Sequence, residues 1–507
     1  MDELKQAWTQ FVEHHKETAL LSSIQSLLTW DERTGMPVKA ADYRAEQVAY
    51  LAGKIHERRT APCVGEWLEI LAEGLKSADP HGDQAASVRE TKRQFDKQSK
   101  LPQRLVEELT RAEVLGQQAW VKARQEDDYS AFQPYLETNL KLRREQASAI
   151  GYEASPYDVL LDDYEPGENS ENLKQVLRGL REALVPLIAE LGEAKDQPVD
   201  DFLRQTYPVE RQEQFGTHVA TRLGFDFSRG RLDITDHPFC TEIGPHDHRI
   251  LTRYNPEDFS QAFYGILHEA GHGIYDQGLR PDQYGLPSGA PISLGIHESQ
   301  SRLWENMVGR SLAFWEFFHP VAQEHFPDQL GQCSPKQMYD AVNVVRPSLI
   351  RVEADEATYN LHIAIRFDLE KALIEGELPS PDLPAAWNQR YRDDLGIEPP
   401  GDGMGVLQDV HWSAALFGYF PTYSLGNLYA AHWMQCARQD LGDLDQQFRQ
   451  GEFLPLRDWL AQNIYQHGQC FSARQLLERI DGQPLSHEPL LNYLSQKLRP
   501  IYGLSSS

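Results

Sequence analysis

The chain has 507 residues, 40% of them apolar and 25% charged, enough to bury a sizeable core. Its formal net charge of -27 and isoelectric point near 5.1 argue against a nucleic-acid binder and against docking on anionic membranes, since both need a basic surface. The five cysteines, Cys63, Cys240, Cys333, Cys436 and Cys470, form no CxxC pair and read as reduced thiols of a cytoplasmic protein, and the first residues lack the basic-then-apolar pattern of a secretion signal.

Residues 3–28, 40–57, 84–98, 102–126, 128–150 and 171–193 place apolar side chains at three- and four-residue spacing, which predicts helices. Strand signal is thin. It is best at Arg231-Leu232-Asp233-Ile234-Thr235 and at Arg249-Ile250-Leu251-Thr252-Arg253-Tyr254, with a third short strand expected over Val406–Val410. A helical pattern returns over 334–376. Pro/Gly clusters at 285–291, 377–384 and 395–405 predict loops. Val410 to Ala437 contains no Asp, Glu, Lys or Arg, but His411, Pro421, Asn427, His432 and Gln435 make it a buried segment near a site rather than a membrane span. The pattern predicts one mostly helical domain over 1–507 with a small sheet. Residues 1–150 are a candidate helical subdomain walling a cleft, and 504–507 a disordered tail.

Asn255-Pro256-Glu257-Asp258 predicts a helix start, with Asn255 as the cap and Pro256 at the first helical position, and Gly278 a stop. Between them runs His268-Glu269-Ala270-Gly271-His272. Two histidines four residues apart lie on one helical face and can share a metal ion, with Glu269 beside them to act on an activated water. Gly271 and Gly273 each cost about 1 kcal/mol against Ala in a helix. They make sense where another segment or a substrate must approach closely.

The spacing narrows the class of third ligand but leaves two candidates. One class of such peptidases places a third His six residues after the second; here that position is Gly278. The other class takes a Glu from a later helix, and His297-Glu298-Ser299-Gln300-Ser301-Arg302 opens one, with Glu298 and Glu305 as candidates. In thermolysin-like enzymes Asp stands four residues after the ligand Glu; Arg302 at that position counts against that branch. A structural zinc is disfavoured, because such sites are closed by four ligands and rich in Cys.

Further segments carry a resemblance. These are Trp30-Asp31-Glu32-Arg33-Thr34 with Met36-Pro37, Tyr157-Asp158-Val159-Leu160-Leu161-Asp162 with Tyr164-Glu165-Pro166-Gly167, His237-Pro238-Phe239, Ile350-Arg351-Val352-Glu353-Ala354-Asp355, and Gly405-Val406-Leu407-Gln408 running into His411-Trp412-Ser413. With the metal motif, they make the chain resemble the zinc metallocarboxypeptidases typified by carboxypeptidase Taq over nearly its whole length. Two departures stand out. The family's Asp-x-Arg-x-Thr becomes Asp247-His248-Arg249-Ile250-Leu251, with Thr252 one place late. Ala414-Ala415-Leu416 replace a glycine-rich stretch, which predicts a stiffer loop and a narrower pocket.

The resemblance implies a helical, saddle-like fold with a deep cleft and a small sheet beside the metal. It also implies a cytoplasmic homodimer that removes single residues from peptide C-termini with broad specificity, and it favours Glu298 as third ligand to His268 and His272. One Zn2+ per chain is expected, with Co2+ or Mn2+ also suited to the ligand set. Glu269 is the expected general base, and His411, Tyr419 and Tyr423 are candidate oxyanion donors. Arg351, then Arg249, are candidates to bind the substrate carboxylate, with Asp247, His237 and Gln408 nearby. Dipeptide release or internal cleavage by the same class of enzyme remain alternatives, as does a non-catalytic helical zinc-binding scaffold.

Overall fold

The computed structural model describes residues 2–505. Long helices dominate: Asp2–Thr34, Ala41–Arg59, Asp83–Ser99, Gln103–Glu126, Tyr129–Ile150 and Ser170–Glu193 match the predicted segments to within a few residues. The first of these, with Pro62–Gly74 and Asp83–Ser99, builds a small core of its own from Phe11, Val64, Leu68, Leu71 and Val88, closed by Leu286. A bidentate Asp83–Arg280 pair, at 2.6 and 3.0 Å, joins this unit to the main body. So does Trp30, whose ring lies 4.1 Å from the Arg249 guanidinium. No helix of the described residues is long and apolar enough to cross a membrane.

The sheet has three strands, β1 (Gly230–Ile234), β2 (Cys240–Gly244) and β3 (Asp247–Thr252). β3 is central, parallel to β1 with Leu232 opposite Ile250, and antiparallel to β2 with Thr241 opposite Arg249. It packs on the helix Phe259–Gly278. A Cβ on Gly273 would stand 2.5 Å from the Phe225 ring and 3.2 Å from Ile250, so glycine lets helix and sheet approach. Thr252, the displaced threonine, is fully buried and its hydroxyl points back to the Ala262 carbonyl at 3.5 Å.

Four expectations need correction. The third strand is β2, while Val406–Val410 forms turns. The pattern over 334–376 breaks into helices Pro335–Ala341 and Thr358–Glu375, because Pro347 and the loop around Asp355 interrupt it. The cap of the His-Glu-x-x-His helix is Asp258, which accepts from Gln261 N at 3.0 Å, whereas Asn255 makes a local turn with Glu257 N. The expected tail is anchored at its start, since Leu504 N donates to Arg499 O at 2.9 Å; Ser506 and Ser507 lie outside the described residues.

Candidate active site

His268, Glu269 and His272 sit in the middle of Phe259–Gly278, and Glu298 on the short helix Leu294–Arg302, capped by Ser293. The two helices touch backbone to backbone. A Cβ on Gly271 would fall 2.6 Å from Gln300 O and 2.7 Å from Ser301 Cα. The helix Pro421–Leu441 presses from the other side, where a Cβ on Gly426 would meet Glu298 Cγ at 2.4 Å. The glycines therefore serve the approach of protein segments, and Glu298 is held in a narrow slot.

One Glu298 oxygen stands 3.6 Å from His268 Nε2 and 3.4 Å from His272 Nε2, and ligand atoms of all three residues lie within 4.8 Å of one another. The opposite edges of both imidazoles are occupied. His268 Nδ1 meets Glu305 Oε2 at 2.9 Å. His272 Nδ1 meets His297 O at 3.1 Å and His297 Nδ1 at 2.6 Å, and His297 Nε2 reaches Asp276 Oδ1 at 2.8 Å. These acceptors place protons on both ligand Nδ1 atoms, which leaves both Nε2 lone pairs aimed at one space beside a carboxylate. That donor set fits a divalent cation with an open position. Glu305, the rival ligand, instead buttresses His268 from the π-helical turn Leu303–Val308 and is itself held by Arg310 at 3.3 Å. Arg302 donates to the other Glu298 oxygen at 2.7 Å, so Arg302 orients the candidate ligand.

Glu269 is buried, and desolvation pushes its carboxyl up to about 7. The irregular segment Gln408–Phe420 and the start of the next helix bring His411, Tyr419 and Tyr423 together. Ring centroids of His411 lie 5.3 Å from Tyr419 and 5.9 Å from Tyr423, and His411 Nε2 is 3.1 Å from Tyr423 Oη. Burial holds His411 neutral, with its pKa near 3, and pushes both tyrosines up, with Glu298 adding to the push.

Arg351 is buried and grips Asp409 through Nε at 2.9 Å and a terminal nitrogen at 2.8 Å; its other terminal nitrogen donates to Tyr359 Oη at 2.7 Å. Asp355, four residues on, does not pair with Arg351; it caps Thr358 and Ala357. Gln408 is buried with its polar atoms committed: its Oε1 accepts from Arg351 N and Arg366, and its amide nitrogen serves Leu349 O, Met404 O and Tyr391 Oη. Arg249 is chelated by Asp247 at 2.7 and 2.9 Å and covered by Trp30. His237 is exposed on the turn before β2, and no hydrogen bond or ion pair of the described residues ties it to the cluster. Tyr359 was not foreseen. Its ring lies 4.4 Å from the Arg302 guanidinium, so it links the Glu298 end of the site to Arg351. Asp276 and His297 were also missed, although Asp276 falls one turn after His272 on the same helical face.

A His-Glu-x-x-His helix with a distant buried Glu, set against a small sheet in a helical body, has the make-up of a metallopeptidase. The comparisons with known proteins place it within that class. Residues 10–498 match the family of the carboxypeptidase Taq (M32) metallopeptidases, and the chain belongs to that family. It is 45% identical to thermostable carboxypeptidase 1 of Thermus thermophilus, over 98% of this chain and 99% of that one. It is 37% identical to carboxypeptidase 1 of Bacillus subtilis, over 98% of each. A crystal structure of the M32 carboxypeptidase from Deinococcus radiodurans R1 superposes with a TM-score of 0.94 at 39% identity, covering 98% of this chain and 100% of the other. The protein is thus a metallocarboxypeptidase, a peptide hydrolase that uses a divalent metal.

Proposed function

We propose that this enzyme removes single residues, with broad specificity, from the C-termini of peptides, using one Zn2+ held by His268, His272 and Glu298. The convergence of two free imidazole nitrogens on the Glu298 carboxylate carries the reading. When bound, the cation supplies Lewis acidity to the attacking water and the scissile carbonyl. Glu269, a buried carboxyl between the two ligand histidines, takes the proton from that water and returns it to the leaving amine. Tyr419 and Tyr423 stay protonated at neutral pH and can donate to the developing oxyanion, and His411 steadies Tyr423. Arg351 has five N–H donors, of which Asp409 and Tyr359 engage three, so two remain for the substrate carboxylate. Asp247 chelates Arg249, and the Trp30 ring over that guanidinium supports a secondary role for Arg249 at the cleft wall. A cytoplasmic homodimer belongs to the same reading, on the strength of the family resemblance.

An N-blocked peptide ladder, with and without a chelator and paired with elemental analysis, tests this. The expected result is stepwise loss of single C-terminal residues, abolished by chelation and by C-terminal amidation. Release of dipeptides or internal cuts would contradict it.

A further inference from the structure

Glu370 lies in the middle of the helix Thr358–Glu375 with no accessible surface. Its partners are three neutral donors: Tyr157 Oη at 2.8 Å and Gly418 N at 2.7 Å on Oε1, and Trp412 Nε1 at 2.7 Å on Oε2. Burial pushes this carboxyl up to about 7, and its three hydrogen bonds offset part of the cost of keeping it in the interior. Here both oxygens are committed to the irregular segment that carries His411 and Tyr419. Trp412 follows His411 directly and Gly418 precedes Tyr419 directly.

The segment needs such a fastening. It is irregular and mostly buried: the N–H groups of Ser413, Ala414, Ala415, Leu416 and Phe417 close turns within the segment, while Gly418 N and Trp412 Nε1 reach outside it to Glu370. Its Ala415 stands at φ 53°, a left-handed conformation that costs an L-residue about 1–2 kcal/mol. Gly418, at φ 87°, is wedged so closely that a Cβ would stand 2.7 Å from the Leu160–Leu161 backbone. Glu370 pulls this strained stretch from both ends.

We infer that Glu370 is a positioning residue for the reaction, a two-point anchor that holds His411 and Tyr419 against the metal-binding side of the site. The inference rests on the proposed role of His411, Tyr419 and Tyr423. In Glu370→Gln one oxygen becomes an NH2 group that faces an N–H donor, so one anchor is lost while volume is kept. The expected outcome is a fall in kcat of about 10- to 100-fold, as for a modest misplacement of a catalytic group, with KM within about threefold and metal content unchanged. Trp412→Phe, which removes one anchor from the loop side, should do the same. Tyr157→Phe removes a donor to the same carboxylate but none from the loop, and should keep kcat within about twofold.

If Glu370→Gln does not fold, Trp412→Phe is read by the same limits. A kcat within about twofold of the parent in whichever of these two folds, alongside a large loss in Tyr423→Phe, would overturn the anchor role and leave the proposed mechanism standing. A parental kcat in His411→Ala, Tyr419→Phe and Tyr423→Phe alike would instead remove the mechanism on which the inference rests.

Discussion

Glu305 Oε2 stands 2.9 Å from Nδ1 of His268, on the edge of the imidazole turned away from Glu298. The carboxylate fixes the tautomer, so that Nε2 presents its lone pair, and it raises the basicity of the ring. Glu305→Ala is expected to weaken metal binding about 10- to 100-fold. Competition against a chelator reads this directly, and unchanged affinity would contradict the orienting role.

Gly271→Ala sets two effects against each other. Helix propensity favours Ala by about 1 kcal/mol. The new methyl, however, meets the backbone of Gln300 and Ser301 at 2.6–2.7 Å, where nothing flexible can yield. Overpacking costs about 1–3 kcal/mol, so a net loss of stability is expected, together with weaker metal binding as the two helices part. Thermal unfolding with and without the metal ion checks both.

These glycines show how far the sequence could be read. Gly271 and Gly273 were awkward for a helix, and the awkwardness pointed to close approach; only the fold shows that Gln300 and Phe225 do the approaching. The long helices were legible because their apolar side chains repeat every three or four residues. β2 was not: Cys-Thr-Glu-Ile-Gly has no alternation, and all five residues are half-buried. Glu298 was readable as a candidate ligand by its distance from His272. Glu305 was readable as a rival ligand but not as the buttress of His268, and Asp276, His297 and the bridge Tyr359 were not readable, because they meet the site through tertiary packing. The Ala415 departure was visible in sequence, but its left-handed backbone was not.

Glu165 gives a pH signature. It is buried among three neutral donors, Ser293 Oγ, Gly295 N and Tyr429 Oη, at the start of the Glu298 helix, and desolvation pushes it up to about 7. Its unfolded value is near 4.3. The folded protein therefore holds this proton more tightly, and the stability from it is full below that pH and lost as pH rises through about 7. Glu165→Gln is expected to lose less stability than the parent between pH 5 and pH 8. Urea midpoints at saturating metal ion measure the slope, and parallel slopes would contradict the assignment.

Ala415→Gly relieves the left-handed strain at φ 53°. The relief of about 1–2 kcal/mol exceeds the entropic cost of glycine, about 0.5–1 kcal/mol, so a small rise in unfolding temperature is expected. A clear fall would show that the Ala415 methyl contributes more by packing than its backbone costs.

In the proposed reaction Glu269 moves the proton while His268, His272 and Glu298 hold the metal. The most direct test measures metal content and kcat on one preparation of Glu269→Gln. The expected result is one metal ion per chain, as in the parent, with kcat lower by about 10²–10⁴-fold. Full metal occupancy with near-parental kcat would contradict it.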